Sequence, residues 1–186
     1  MKRLIVTLSL IALPLCPATA DEVTDTLQSA IDAYEDGDVQ YALEELTYAQ
    51  QLLQAMKAEG LVAFLPPAPA GWTREVNMEM NQGLAMMGGG TGAEATYDGG
   101  GQSVTLTLMA DNPMVGAMAA MFGNPMLMAT QGQIIRIGRQ KFVDQGGEVT
   151  GLVDNRILVQ VSGASNDAMM PLLQAIDFDG LARFGR

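Results

Sequence analysis

Over residues 23–58 the apolar side chains recur at helical spacing: Val23, Leu27, Ala30, Ile31 and Tyr34, then Val39, Ala42, Leu43, Leu46, Ala49, Leu52, Leu53 and Met56. Gly37 separates the two runs and Asp38 is placed to cap the second. The spacing therefore predicts an antiparallel pair of helices. Further along, the period shortens to about two residues. Val104, Leu106 and Leu108 alternate with Thr105 and Thr107, and Asp98-Gly99-Gly100-Gly101 is a hairpin signal between strands at 93–97 and 102–110. Four more strands are expected at 133–137, 139–143, 148–153 and 156–162, separated by turns at Gly138, Gln145-Gly146-Gly147 and Asp154-Asn155. Each of these connections is too short for a parallel crossover, so the sheet is expected to be mostly antiparallel. Residues 167–176 read as an apolar helix and 180–184 as a further turn. A sheet with one apolar face needs a cover, which the helices supply, and the fold class is α+β.

The ends of these patterns divide the chain. Lys2 and Arg3 precede an apolar core at 4–15, too short to cross a bilayer, and Ala18-Thr19-Ala20 follows. Residues 1–20 thus read as a secretory signal peptide cleaved near Ala20-Asp21. Leu15 stands where a lipoprotein signal needs a small residue, and Pro17 follows Cys16, so a cleaved signal is preferred to a lipid anchor. Cys16 is the only cysteine, and no Asn-x-Ser/Thr sequon occurs, which fits a bacterial periplasm better than a secreted eukaryotic domain. The expected organisation continues with an acidic helical hairpin at 21–60, a Pro-rich linker at 61–72 and an α+β domain at 73–186. The linker contains Leu65-Pro66-Pro67-Ala68-Pro69-Ala70-Gly71-Trp72, in which closely spaced prolines favour a stiff extended chain. Trp72, the only tryptophan, is read as a core anchor for the first strand in preference to a ligand-stacking residue.

Charge sharpens the division. Without Lys2 and Arg3, eight of the ten basic residues remain against 21 acids, a net charge of −13. Residues 21–59 carry ten acids and one base, Lys57, whereas 60–186 carry eleven acids and seven bases. Such a balance opposes phosphate backbones and anionic lipid surfaces, so nucleic-acid binding and charge-driven membrane docking are disfavoured.

Two resemblances follow from these residues. The spacing Gly37-Asp38, Ala42, Leu46, Ala49 resembles the second half of a tetratricopeptide repeat, where small residues let two helices approach closely. One such repeat cannot bury its own apolar face. The hairpin is therefore expected to pack on its own C-terminal domain as a helical annex, in preference to docking on a second copy or on a partner. The order of elements after residue 72 resembles the small antiparallel-sheet-plus-helix domains of the PsbP/Mog1 type. That resemblance implies a fold and carries no function.

Candidate chemistry is sparse. The chain has no histidine, so Ser103, Ser162 and Ser165 have no imidazole to activate them, and no spacing recommends Lys57 or Lys141 as a substitute base. The glycine run Gly88-Gly89-Gly90-Thr91-Gly92 lacks the Gly-Lys-Ser/Thr ending of a phosphate loop and is expected to be a flexible loop. Asp177-Phe178-Asp179-Gly180 and Glu35-Asp36-Gly37-Asp38 lack the ligand ladder of a calcium loop and read as caps and turns. Thirteen methionines follow Met1, among them Met78, Met80, Met86 and Met87. Met114, Met118, Met121, Met126 and Met128 have spacings that a thioether site for Cu(I) or Ag(I) can use. Their apolar company and the missing histidine favour packing over metal.

Residues 112–135 hold no charge and twice repeat one helix start, Asn112-Pro113-Met114 and Asn124-Pro125-Met126, with Gly123 and Gly132 as stops. Two short apolar helices are expected there, covering the sheet in preference to exposing an apolar patch or groove for a partner or lipid-like ligand. No catalytic, cofactor or metal residue is assigned. The expectation is an exported, non-enzymatic accessory or interaction protein of the bacterial periplasm. It would contact an envelope protein through the acidic helix pair, through 112–135, or through both. A soft-metal binder at the five methionines is the alternative.

Overall fold

The structure is a computed structural model that describes residues 21–186 apart from 78, 87 and 88. The expected signal peptide with Cys16 and its cleavage near Ala20-Asp21 lie outside the described residues, as do the readings that fall on Met78, Met87 and Gly88. The chain forms two compact units, one ending at Gln50 and the other beginning at Gln51. The first contains α1 (Glu22–Glu35) and the opening turns of α2 (Val39–Val62).

The second unit is built on a seven-stranded sheet. In chain order come β1 (Thr73–Asn77), α3 (Met80–Met86), β2 (Thr91–Gly99), β3 (Gln102–Ala110), α4 (Pro113–Phe122) and α5 (Pro125–Gln131). They are followed by β4 (Gln133–Ile137), β5 (Gln140–Asp144), β6 (Glu148–Val153), β7 (Ile157–Ser162), α6 (Asn166–Gln174) and α7 (Phe178–Arg183). The spatial order is β1-β2-β3-β7-β6-β5-β4, and every neighbouring pair is antiparallel. The chain is thus an N-terminal helix pair followed by an antiparallel sheet with helices, the α+β class that the periodicity predicts. Gly100 and Gly101, at φ +60° and +75°, make the tight β2–β3 turn, a backbone that side chains with a Cβ rarely adopt.

Strand alternation decides what each face of the sheet meets. Val104, Leu106, Leu108 and Ala110 of β3 are buried beside Val161, Val159 and Ile157 of β7. Over them pack Met169, Leu172 and Leu173 of α6, Leu181 of α7, and Leu61 and Leu65. On the other face Met109, Leu158 and Leu152 stand in register across β3, β7 and β6. Val115, Met118, Ala119 and Phe122 of α4 cover that row. Towards β2 this face is polar, and Glu94 accepts hydrogen bonds from Asn77 and Thr107, 2.9 Å each.

Residues 61–72 are held against this sheet. The Tyr97 hydroxyl donates to the Pro66 carbonyl at 2.7 Å, and the Arg74 guanidinium donates to the Leu65 and Pro66 carbonyls at 3.0 and 3.1 Å. Trp72 packs on the core and lies over Gly99, where a Cβ would overlap the indole. Burial pushes the Tyr97 phenol up to about 12, partly offset by the Arg74 charge. Its unfolded value is 10.0, so the stabilisation tied to this shift is present in full below pH 10. It is lost as the pH rises through the folded value of about 12. Tyr97→Phe is expected to cost only about 1 kcal/mol at pH 7, because Arg74 still satisfies the Pro66 carbonyl. The variant should also flatten the alkaline fall in stability between pH 10 and 12. Denaturant titrations at several pH values, followed by Trp72 fluorescence, check both effects.

The segment before β2 differs from expectation. The strand begins at Thr91 and not at Ala93, so the end of the glycine run belongs to the sheet. Asn81 of α3 pairs with both backbone groups of Gly92, at 2.9 and 2.8 Å, and Met80 and Leu84 leave no room for a Cβ there. Glycine is needed at residue 92 for close approach, a constraint that its run of glycine neighbours hides in the sequence.

Candidate functional site

The first unit starts from two well-specified helix ends. Asp21 caps α1, its carboxylate accepting from the Val23 amide at 3.3 Å, and Glu22 and Asp25 sit in the first turn, where the helix dipole favours them. At the other end Gly37 adopts φ +83°; its amide donates to the Tyr34 carbonyl at 3.1 Å and the Asp38 amide to the Ala33 carbonyl at 2.9 Å. These two bonds are a Schellman stop. Asp38 immediately caps α2, accepting from the Tyr41 amide at 3.1 Å. Three residues therefore reverse the chain.

Small side chains make the seam between the helices. Thr26, Ala30 and Ala33 of α1 and Ala42 and Ala49 of α2 are buried, and the Tyr48 hydroxyl donates to Glu22 at 2.7 Å. That acceptor raises the Tyr48 phenol, chiefly through the hydrogen bond and then through the carboxylate charge. A seam this shallow has no space for the larger apolar side chains. Leu27, Ile31 and Tyr34 of α1 and Val39, Leu43 and Leu46 of α2 stay exposed, Tyr34 by 70% and Leu43 by 55%. With Ala30, Ala42 and Glu35 they line an open groove of about 500 Å³ whose walls are almost wholly apolar. Glu35 is its one charged lining residue. The sequence identifies every one of these apolar positions, yet periodicity alone does not say that they remain uncovered.

The two short helices at 112–135 form as their starts and stops predict. Asn112 and Asn124 accept from the Met114 and Met126 amides at 2.9 and 3.0 Å, and Gly123 and Gly132 end the helices. Asn112 is buried and also donates to the Gly89 carbonyl, tying α4 to the segment before β2. Covering and exposure are combined here: Val115 and Met128 are buried, whereas Met114, Met126 and Leu127 face solvent.

The five methionines are not presented alike. Met126 is 79% exposed and Met128 only 3%, as residues two apart on a helix must be when one faces the interior. Met118 packs with Val115, Leu152 and Leu158, Met121 is half-buried, and Met114 is exposed. This distribution suits packing, and titration with Cu(I) or Ag(I) followed by native mass spectrometry is expected to give no stoichiometric adduct. An adduct lost on Met118→Leu without loss of stability would reverse that assignment. Among the described residues no three His, Cys, Asp or Glu side chains cluster to hold a metal ion, and no helix is long and apolar enough to cross a membrane.

No family model, curated protein or solved structure matches the chain. The resemblances to the tetratricopeptide repeat and to the PsbP/Mog1 type rest on spacing and element order alone.

Proposed function

We propose that this is an exported, non-enzymatic interaction protein of the bacterial periplasm that holds an envelope protein in the groove of its acidic helix pair. One observation carries the reading: six large apolar side chains lie exposed side by side along two capped helices, around a groove of about 500 Å³. An exposed apolar surface of this kind, rimmed by polar residues, is a common mark of a protein contact. Export is supported by the basic, apolar and small-residue order of residues 1–20. The non-enzymatic reading draws on a chain without histidine and with its single cysteine at residue 16. The exposed Met114, Met126 and Leu127 offer a second contact surface.

In-cell photocrosslinking with mass spectrometry tests this function. A photoreactive residue at Tyr34 is expected to attach to peptides of a distinct partner, and one at the exposed Asp25, outside the groove lining, is not. Equal yields at the two positions would remove the groove from the account.

A further inference from the structure

We infer that the occupant of the groove is a basic amphipathic helix: an apolar stripe flanked by lysine or arginine. The inference rests on the proposed docking role and adds the chemistry of the partner. Residues 21–50 carry nine carboxylates, at Asp21, Glu22, Asp25, Asp32, Glu35, Asp36, Asp38, Glu44 and Glu45, and not one lysine, arginine or histidine. Among the described residues none of the nine takes part in an ion pair. Glu35 lines the groove itself, whereas Asp32, Asp36 and Asp38 line a separate pocket with Ser29 and Tyr41.

The hairpin tip concentrates this charge. Glu35 and Asp36 sit at the C-terminal end of α1, where the helix dipole is already negative, and no basic residue occupies that last turn. A cation brought by an occupant of the groove would relieve Glu35, the carboxylate that lines it. Two parallel ridges, Leu27, Ile31 and Tyr34 on one side and Val39, Leu43 and Leu46 on the other, leave between them the kind of trough into which an amphipathic helix lays its apolar face. A second copy would also offer an apolar ridge, but it would set one unit carrying nine carboxylates and no cation over residues 21–50 against another of the same charge. Charge complementarity therefore selects a basic partner over self-association.

The test uses the purified protein and three fluorescent peptides of about 18 residues, long enough to form helix on a surface. One places leucines on a single helical face with lysines beside them; the second replaces every lysine by glutamate; the third scrambles the first. Fluorescence anisotropy is expected to show the basic amphipathic peptide binding at least about tenfold more tightly than either control. Raising salt from about 50 to about 500 mM should weaken that binding several-fold. Leu43→Ser, at an exposed position, should weaken it at least about tenfold. Comparable binding of the acidic amphipathic peptide, lost on Leu43→Ser, would overturn the basic partner and leave the groove reading standing. Equal binding of the scrambled peptide, insensitive to Leu43→Ser, would overturn both, as would no binding by any peptide to a monomer. A dimer in sedimentation that Leu43→Ser dissociates would make the occupant a second copy and overturn the inference.

Discussion

Leu106→Ala is expected to lower the unfolding free energy of the sheet unit by about 2–5 kcal/mol, the range for emptying a fully enclosed leucine site. Leu106 has no solvent exposure and lies on a central strand between Ala95 of β2 and Val161 of β7. Its neighbours are held on both sides by ladder hydrogen bonds, so the surroundings have little freedom to collapse into the space. For a unit of this size each kcal/mol corresponds to roughly 2–8 °C in the midpoint, giving an expected fall of roughly 4–40 °C across that cost range. Trp72 belongs to the same core and is the only tryptophan, so its emission reports this transition. A loss below about 1 kcal/mol would mean that β3 is less central than its pairing indicates.

The double substitution Ile31→Ser with Leu43→Ser should do the reverse. Both side chains are more than half exposed, at 51% and 55%, and neither belongs to the alanine seam. Folding free energy is expected to stay within about 1 kcal/mol of the parent, since exposed positions seldom contribute more than about 0.5 kcal/mol each. Crosslinking to a partner from Tyr34 should nevertheless fall at least about tenfold, because one apolar anchor is removed from each wall of the groove. Circular dichroism and crosslink yield measured on the same preparations separate the two effects. Equal losses of helix content and crosslinking would place Ile31 and Leu43 among the residues that hold the hairpin together.

The sequence was most legible where local chemistry dictates local structure. Asn112-Pro113 and Asn124-Pro125 each specify a helix start whatever surrounds them, and Gly37-Asp38 specifies a stop and a start together. Gly100 and Gly101 fix the β2–β3 turn in the same way. Information that depends on packing was harder to read. β1 has only one apolar residue in Thr73–Asn77, and α3 carries Gly83 at its centre, so neither announces itself by periodicity. The adjacency of β3 and β7, which joins the two halves of the sheet, is a long-range choice that no turn signal encodes.

The groove lies between these cases. Its apolar positions are plain in the helical spacing, and the small residues that make the seam are plain too. Their exposure follows from a quantity that periodicity does not report: two helices meeting through alanines bury a narrow strip and leave the larger side chains beside it.

Site-specific thiol labelling tests occupancy of the groove in the cell most directly. The only native cysteine, Cys16, lies in the segment read as the cleaved signal, so Tyr34→Cys and Asp25→Cys each introduce a single reporter into the chain that follows. Maleimide labelling rates are compared between intact cells and the purified protein. If a partner fills the groove, Tyr34→Cys should react at least about tenfold more slowly in cells than when purified, while Asp25→Cys reacts at the same rate in both. Equal rates at Tyr34→Cys in the two settings would show an empty groove and contradict the proposed function.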